Sequence, residues 1–515
     1  MRRFTHKAAR WPQEAIREIV SASASERRML WLFVAAVAVF AVTWFFTITA
    51  RAPLFSVRLE LVRLGGFSRE VGGTFGDGLG LAFALALASA MYLVAVWAVH
   101  KGFPQRWALT VVAALILSGL ATPSMLLSSP DAVHLAADVR TLWYEHTYPT
   151  SRGGVPKEQD DPVAKQVIVY HDNPSAYGPV SYLIGGAPLP FVGDDLRMNI
   201  FGQKVFYGLL YVLVAVLAGV VARGLGRDPA VVTAFVGLNP MFLWQFPGDA
   251  HNDVIMMTFA MLSLLFLTKP PSLRHRGVVV VMGVLSALSK FGLAIAAGVV
   301  FGYWFPRLRV AAAIGSAVIV GAVATGLLLE VGPAGANVAV NGITSNTPWG
   351  WAVKLLDLQG RERRSLALLA DLGTVGLTSI ILLSHRLKTP QDLVDALALQ
   401  LGLFLFLFTP ELRQWYQFWA FPIIMLTTRP WLRAGAIVFS LAGFLTVLSQ
   451  NFLPVWRREF GLDNPVEVAV GFVWLLTIAV SYAVWRRGRG VRAVTAKAPS
   501  RAVRRRQQRG AQVRT

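Results

Sequence analysis

The residues best suited to chemistry lie in the stretch Phe246–Asp253, which groups two aspartates, a histidine and an asparagine between two apolar runs. Polar side chains between membrane helices are energetically costly, so an ionisable cluster in such a place predicts a functional site. An alternative is a helix-capping turn at a membrane surface. In that case Asp249 or Asn252 serves as the N-cap of a helix that starts at Val254.

Three further positions extend this cluster toward group-transfer chemistry. Asp131 follows Ser128-Ser129-Pro130 at a predicted membrane edge, where a partly desolvated carboxylate suits a general base. Lys290 and Arg413 supply cations that suit a phosphate, Arg as a fork and Lys as a point charge. His251 offers a third donor. The combination favours a phosphate leaving group and a hydroxyl acceptor.

Aromatic residues follow Arg413 directly. Trp415 and Tyr416 offer flat faces for a sugar ring, with the phenol as a polar handle. Each of these residues has a simpler interpretation as well. The two aromatics fit an interfacial aromatic belt, Arg413 could pair with Glu411, and Asp131 could cap a helix.

Composition identifies the kind of chain that must position these residues. The chain has 515 residues, of which 55% are hydrophobic and only 15% charged. Soluble domains carry about 25% charged residues, so the sequence predicts an all-α polytopic membrane protein. It contains no Cys, which excludes disulfides and thiolate metal sites, and no ligand spacing indicates a metal or cofactor.

The basic residues predict topology rather than nucleic-acid binding. The formal net charge is +21, but the excess lies at the termini and in short loops, as the positive-inside rule expects. We expect a basic cytoplasmic amino terminus (residues 1–28), a transmembrane domain (29–485) and a disordered basic cytoplasmic tail (486–515). The tail is either a topology anchor or a contact for anionic lipid heads. About twelve crossings fit, and the longest outer loop covers residues 128–178.

One segment predicts a re-entrant hairpin. Basic residues flank Gly277–Phe305 on both sides, so both ends favour the cytoplasmic face. Two half-helices with Ser289-Lys290-Phe291 at the tip satisfy this requirement. Each half has about 14 residues and spans roughly 20 Å, which leaves Lys290 partway across the membrane in a cavity open to the outside. One long tilted helix with a snorkelling Lys290 is the alternative.

In this topology the candidate residues share the extracytoplasmic face, and their motifs resemble a known family. The sequence resembles the polyprenol-phosphate-mannose-dependent α-1,6-mannopyranosyltransferases of actinobacteria, members of the GT-C superfamily. The motifs that carry the resemblance are Leu238-Asn239-Pro240, Ala250-His251-Asn252-Asp253, Asp131, Tyr177-Gly178-Pro179, Lys290 and Arg413-Gln414-Trp415-Tyr416 with Pro422. Two positions depart from the family pattern: Asp249 stands where Gly is expected, and His134 where a Tyr often follows the catalytic Asp.

The resemblance implies a GT-C-like fold and an inverting hexosyltransferase in the cell membrane, with Asp131 as the catalytic base. It further implies a polyprenyl-phosphate sugar donor, with mannose as the expected sugar, and a lipid-linked or cell-envelope glycan acceptor. Substrate binding falls to Tyr177, His251, Asn252, Asp253, Lys290, Arg413, Trp415 and Tyr416. A transporter or lipid flippase is the alternative, although the chain shows no repeated halves. A structural scaffold does not explain Lys290 and His251 on a shared face.

Overall fold

A computed structural model describes most of the chain. The described residues are 17–59, 75–146, 149, 161–167, 177–270, 272–316, 318, 347–385, 387–409, 412–451 and 465–497. Within these ranges the secondary structure is helical and contains no strand, which confirms the all-α class. Residues 147–148, 150–160 and 168–176 of the predicted outer loop lie outside the described residues, as do 1–16 and 498–515 of the predicted terminal segments.

The helices of the first part are α1 (Ala24–Trp44), α2 (Phe75–Lys101), α3 (Arg106–Ala121), α4 (Asp131–Glu145), α5 (Pro179–Gly185), α6 (Leu189–Val192), α7 (Leu196–Gly224), α8 (Pro229–Gly237), α9 (Pro240–Leu243) and α10 (Asp253–Leu267). Those of the second part are α11 (Leu273–Ser289), α12 (Ala297–Trp304), α13 (Pro348–Leu355), α14 (Gly360–Ser384), α15 (Pro390–Leu403), α16 (Phe421–Met425), α17 (Pro430–Ala442), α18 (Phe444–Asn451) and α19 (Pro465–Lys497). Helix α7 lies at the centre and packs on α8 and α10, while α10 packs on α11.

Many helix starts follow from an N-cap residue before a proline. Asp228, Asn239 and Thr389 accept hydrogen bonds from backbone N–H groups of the helices that they cap. In each case a proline takes the first helical position, where its missing N–H has no intrahelical partner to lose. The sequence therefore dictates where several helices begin.

Six of the described helical segments are long and apolar enough to cross a membrane, or seven if a bent pair counts as one span. Four shorter apolar helices accompany them. These helices indicate a multi-pass membrane protein, but the predicted count of about twelve crossings is not confirmed. The last helix also continues to Lys497, past residue 485 where the predicted membrane domain ends.

The bent pair leads directly to the polar cluster. Helix α8 and the segment Pro240–Gly248 meet at an angle of 50°, because Pro240 interrupts the helix and Asn239 caps the new one. The chain then makes one π-helical turn, Trp244–Gly248, and Ala250 adopts a left-handed backbone with φ of 57°. A residue with a Cβ pays an energetic cost there, so this turn is held by its surroundings.

The predicted break at Lys290 is present as a change of backbone conformation. Helix α11 ends at Ser289, Lys290 is extended (φ −160°, ψ 134°), and a 3₁₀ helix, Phe291–Ala296, leads into α12. The far ends of α11 and α12 line one cavity, where Arg276 and Tyr303 interact electrostatically. One uninterrupted helix is therefore excluded, although re-entry from the same membrane face is not confirmed.

Candidate active site

A buried ion pair stands at the centre of the site. The Lys290 ammonium donates to Asp253 Oδ1 at 2.8 Å, and both side chains are largely removed from solvent. Three aromatic rings surround the same ammonium, with its nitrogen 4.8 Å from the Tyr177 ring centroid, 4.7 Å from Tyr416 and 5.2 Å from Trp419. The pair and the rings together keep a positive charge stable in a dry environment.

The three rings form an aromatic cage around Lys290, and one short helix supplies two of them. Residues Gln414–Trp419 form a 3₁₀ helix, in which side chains three apart are aligned. Tyr416 and Trp419 therefore stack, with ring centroids 4.1 Å apart. Trp419 also donates from Nε1 to Asp253 Oδ1 at 2.6 Å. Gly292 permits this close approach, since a Cβ there would lie 2.2 Å from the Trp419 ring.

His251 lies beside the cage in the loop between Gly248 and α10. Its ring stacks on Trp415 with a centroid distance of 3.8 Å, and Nδ1 lies 3.8 Å from Asp131 Oδ2. Burial lowers the pKa of His251 to about 4, although the nearby Asp131 and Asp253 carboxylates oppose this change. The imidazole is therefore neutral at pH 7, and its contact with Asp131 is not an ion pair.

Asp131 is the accessible carboxylate of the site. It is the first residue of α4, its side chain is 21% exposed, and its backbone N–H donates to Ser129 Oγ at 3.1 Å. Pro130 holds the N-cap position, so Asp131 is not the cap of this helix. Asp131 approaches His251 at 3.8 Å, and Lys290 pairs with Asp253 two residues further along the chain, so the base candidate and the buried cation lie in one site.

The capping interpretation of the polar stretch does not hold. Asn252 occupies the N-cap of α10 but its side chain makes no capping hydrogen bond. Among the described residues, both polar atoms of the Asn252 side chain, both ring nitrogens of His251 and Asp253 Oδ2 are buried without a hydrogen-bond partner. Buried polar groups of a folded protein are normally paired. These atoms can therefore serve a hydroxylated ligand such as a sugar.

Asp249 holds the start of the outer loop (residues 128–178) in place. Its carboxylate accepts from the backbone N–H of Leu127, and from both the N–H and the hydroxyl of Ser128. Burial raises its pKa above the usual carboxyl value, while these donors and the Lys204 ammonium act in the opposite direction. Lys204 in turn donates to the carbonyl of Ser124. Asp249, which departs from the family pattern, thus has a structural role. It ties the segment Gly248–Asp253 to Leu127 and Ser128, just before Asp131.

The Tyr177-Gly178-Pro179 motif is a docking turn. The Gly178 N–H and the Ser181 hydroxyl both donate to the carbonyl of Ser289, at 3.0 and 2.9 Å. A Cβ on Gly178 would lie 1.8 Å from the Leu288 carbonyl oxygen, so only glycine allows this approach. The turn therefore brings Tyr177 to the end of α11, next to Lys290.

The structure gathers the predicted residues from distant parts of the chain. Asp131, Tyr177, Asn252, Asp253 and Lys290 join His251, Trp415 and Tyr416, and Arg413 lies close enough to influence the titration of His251. Glu411, the alternative partner of Arg413, lies outside the described residues. Sequence reasoning missed Trp419 and Lys204. The spacing of three between Tyr416 and Trp419 predicts that their rings stack only where a 3₁₀ helix is expected. The sequence around Lys204 gave no signal of its role.

Comparison with known proteins agrees with the resemblance drawn from the motifs. Residues 76–306 match the family model described as alpha-(1->6)-mannopyranosyltransferase, N-terminal domain. The match includes Asp131, Tyr177, His251–Asp253 and Lys290, whereas the Arg413–Tyr416 motif lies beyond it. The searches of curated proteins and of solved structures gave no match. Over residues 76–306 the chain is similar to the N-terminal domain of this mannosyltransferase family, which confirms the predicted GT-C mannosyltransferase-like character.

Proposed function

We propose that this protein transfers mannose from a polyprenyl-phosphate donor to a lipid-linked or cell-envelope glycan acceptor on the extracytoplasmic face. One observation carries the proposal. A partly exposed carboxylate, Asp131, lies beside a cluster formed by the buried Lys290 ammonium and aromatic rings, and the 3.8 Å approach to His251 links the two parts. Such a site offers a base next to a place for a phosphate and a sugar.

Asp131 acts as the general base. Its carboxylate takes the proton of an acceptor hydroxyl as that oxygen attacks the anomeric carbon of the donor sugar. The new glycosidic bond forms on the face opposite the departing phosphate, so the anomeric configuration inverts. The bond between the anomeric carbon and the phosphate oxygen breaks, and the polyprenyl phosphate leaves with the electron pair. A general base of this kind contributes about 10²- to 10⁴-fold to a rate.

The phosphate is bound by Arg413 and Lys290, with His251 as a third donor when its ring N–H faces the ligand. The Lys290 ammonium already compensates Asp253, and Arg413 adds a second cation near His251. A planar guanidinium binds phosphate oxygens through two parallel hydrogen bonds. We therefore assign Arg413 to the phosphate and Lys290 to both the phosphate and the carboxylate.

The sugar ring lies against the aromatic side of the site. Tyr177, Trp415 and Tyr416 offer ring faces, and the unpaired polar atoms of Asn252 and Asp253 suit sugar hydroxyls. Membrane lipids surround the remainder of the chain. In this proposal the termini are cytoplasmic, about twelve helices cross the membrane, and α11 with α12 forms the re-entrant hairpin that carries Lys290 at its tip.

The test is incorporation of labelled mannose into lipid-extractable glycan by purified protein given polyprenyl-phosphate mannose and an acceptor membrane extract. We expect transfer that depends on protein and on donor. The rival function, transport or lipid flipping, predicts counterflow of the labelled compound across sealed vesicles with no new glycosidic bond. Counterflow without transfer would replace the proposed function by the rival one.

A further inference from the structure

A cavity lies far from the candidate active site, at the opposite end of α11. It has a volume of about 550 Å³ and lies between the α10–α11 loop, the end of α12 and the α14–α15 loop. From Arg276 to Lys290 the chain covers 14 residues, which is roughly 20 Å along a helix. The cavity is therefore at the membrane face that the basic loops assign to the cytoplasm.

Cationic side chains from four separate segments converge on the rim of this cavity. They are Lys269, Arg276, Arg309 and Lys388, accompanied by His275. The acidic group nearby, Asp392, uses Oδ2 to accept from the backbone N–H groups of Lys388 and Thr389. Its charge is thus partly engaged at the start of α15. The described lining contains no carboxylate, so the rim is strongly positive.

The walls below the rim are apolar. Phe266, Leu267, Val279 and Leu387 line them, and Trp304 with Tyr303 stands where interfacial aromatics are common. A gap between membrane helices with apolar walls is suited to hydrocarbon, whereas a positive rim is suited to an anion. One ligand class joins both properties: an amphiphile with a phosphate head and acyl chains.

We propose that this cavity binds an anionic phospholipid of the cytoplasmic leaflet, with the phosphate on Lys269, Arg276 and Lys388 and the acyl chains along the apolar walls. Such a lipid fills the gap between the far ends of α11 and α12, the two helices that flank Lys290. It stabilises the folded chain because it binds the native state and not the unfolded one. The proposal does not depend on the transferase activity.

Thermal unfolding of the delipidated full-length protein in detergent micelles tests the proposal. We expect phosphatidylglycerol to raise Tm by a few degrees and phosphatidylcholine to raise it less, since only the former carries net negative charge. The variant Lys269→Gln/Arg276→Gln/Lys388→Gln should lose the phosphatidylglycerol effect. All three residues are exposed, so their removal leaves the core packing intact.

A matched variant, Arg28→Gln/Arg486→Gln/Arg487→Gln, removes the same charge from exposed residues that do not line the cavity. It should keep the phosphatidylglycerol effect. An equal loss in this control, or equal shifts with both lipids, would overturn the proposal. A shift of the same size with inorganic phosphate alone would also overturn it, because the cavity would then bind free phosphate and not lipid. Counting retained lipids by native mass spectrometry gives an independent readout.

Discussion

At the scale of single residues, Lys290 has both a structural and a proposed functional role. Its ammonium compensates the buried Asp253 carboxylate at 2.8 Å and also faces three aromatic rings. Removing one member of a buried ion pair leaves an isolated charge, which costs about 3–5 kcal/mol. A loss of activity in a single variant at this position would therefore mix misfolding with chemistry.

A double variant separates the two roles. We expect Lys290→Gln to lower Tm and to abolish mannose transfer. In Lys290→Gln/Asp253→Asn no unpaired charge remains, so Tm should return most of the way to the wild-type value while transfer stays absent. Thermal unfolding and transfer assays on the same preparations give both quantities. Recovery of transfer in the double variant would show that Lys290 only neutralises Asp253.

His251 gives the site a pH-dependent stability. Its pKa is about 4 in the folded protein, below the ordinary value of 6.5, because burial disfavours the charged ring. Between these pH values the unfolded chain binds a proton that the folded chain does not, so stability falls as pH falls from 6.5 to 4. The contribution is fully present above pH 6.5.

We expect the Tm difference between pH 7 and pH 4.5 to be smaller in His251→Gln than in the wild-type protein, since the substituted side chain does not titrate. The exposed His100 supplies a control, His100→Gln, which should keep the wild-type difference. Identical pH profiles for all three proteins would mean that His251 is not buried in the neutral form.

At the scale of elements, local sequence patterns predicted starts and breaks better than they predicted contacts. The break at Lys290 was predicted, because the basic residues on both flanks of Gly277–Phe305 are visible in the sequence. The Asn239-Pro240 cap is also a local property, although the motif was noted only for its family resemblance. Trp419 could not be predicted, because its role requires knowing that Gln414–Trp419 is a 3₁₀ helix and that α10 lies against it. The electrostatic interaction between Asp249 and Lys204 could not be predicted either, because only the tertiary fold brings these two segments together.

One added methyl group, at Gly178, tests whether the turn at Tyr177 must pack closely on α11. Gly178→Ala places a Cβ against the backbone of Leu288, which cannot move like a side chain, so we expect a lower Tm and at least a tenfold loss of transfer. The backbone of Gly178 has φ of −82°, so the effect is steric and not conformational.

Gly283→Ala in α11 is the control for this prediction. A Cβ there meets nothing within 4 Å, and alanine favours helix over glycine by about 1 kcal/mol. This variant should keep wild-type transfer with an equal or higher Tm. If both alanine variants behaved alike, the close packing of Gly178 on α11 would not position the site.

At the scale of the whole molecule, composition was enough to predict a helical membrane protein but not its number of crossings. Charge content and apolar runs reflect the solvent around the chain, which is why the class could be predicted. The count depends on whether short and bent helices cross the membrane. The described residues contain six long apolar helices, one bent pair and four shorter apolar helices, and length and hydropathy alone do not determine whether a short or bent helix crosses.

The proposed topology predicts which loops are reachable from outside the cell. The chain has no Cys, so a single introduced Cys reports one position without background. We expect an impermeant maleimide to label Lys165→Cys in the outer loop on intact cells. Arg274→Cys, beside the proposed lipid cavity, should be labelled only after permeabilisation. Labelling of both on intact cells would contradict the proposed sidedness.

The account depends most on Asp131 as the base that activates the acceptor. The most direct measurement is the rate of labelled mannose transfer by purified Asp131→Asn, with Glu145→Gln at the other end of α4 as the control. We expect Asp131→Asn to lose about 10²- to 10⁴-fold in rate with an unchanged melting curve, and Glu145→Gln to transfer at the wild-type rate. Wild-type transfer by folded Asp131→Asn would contradict the account.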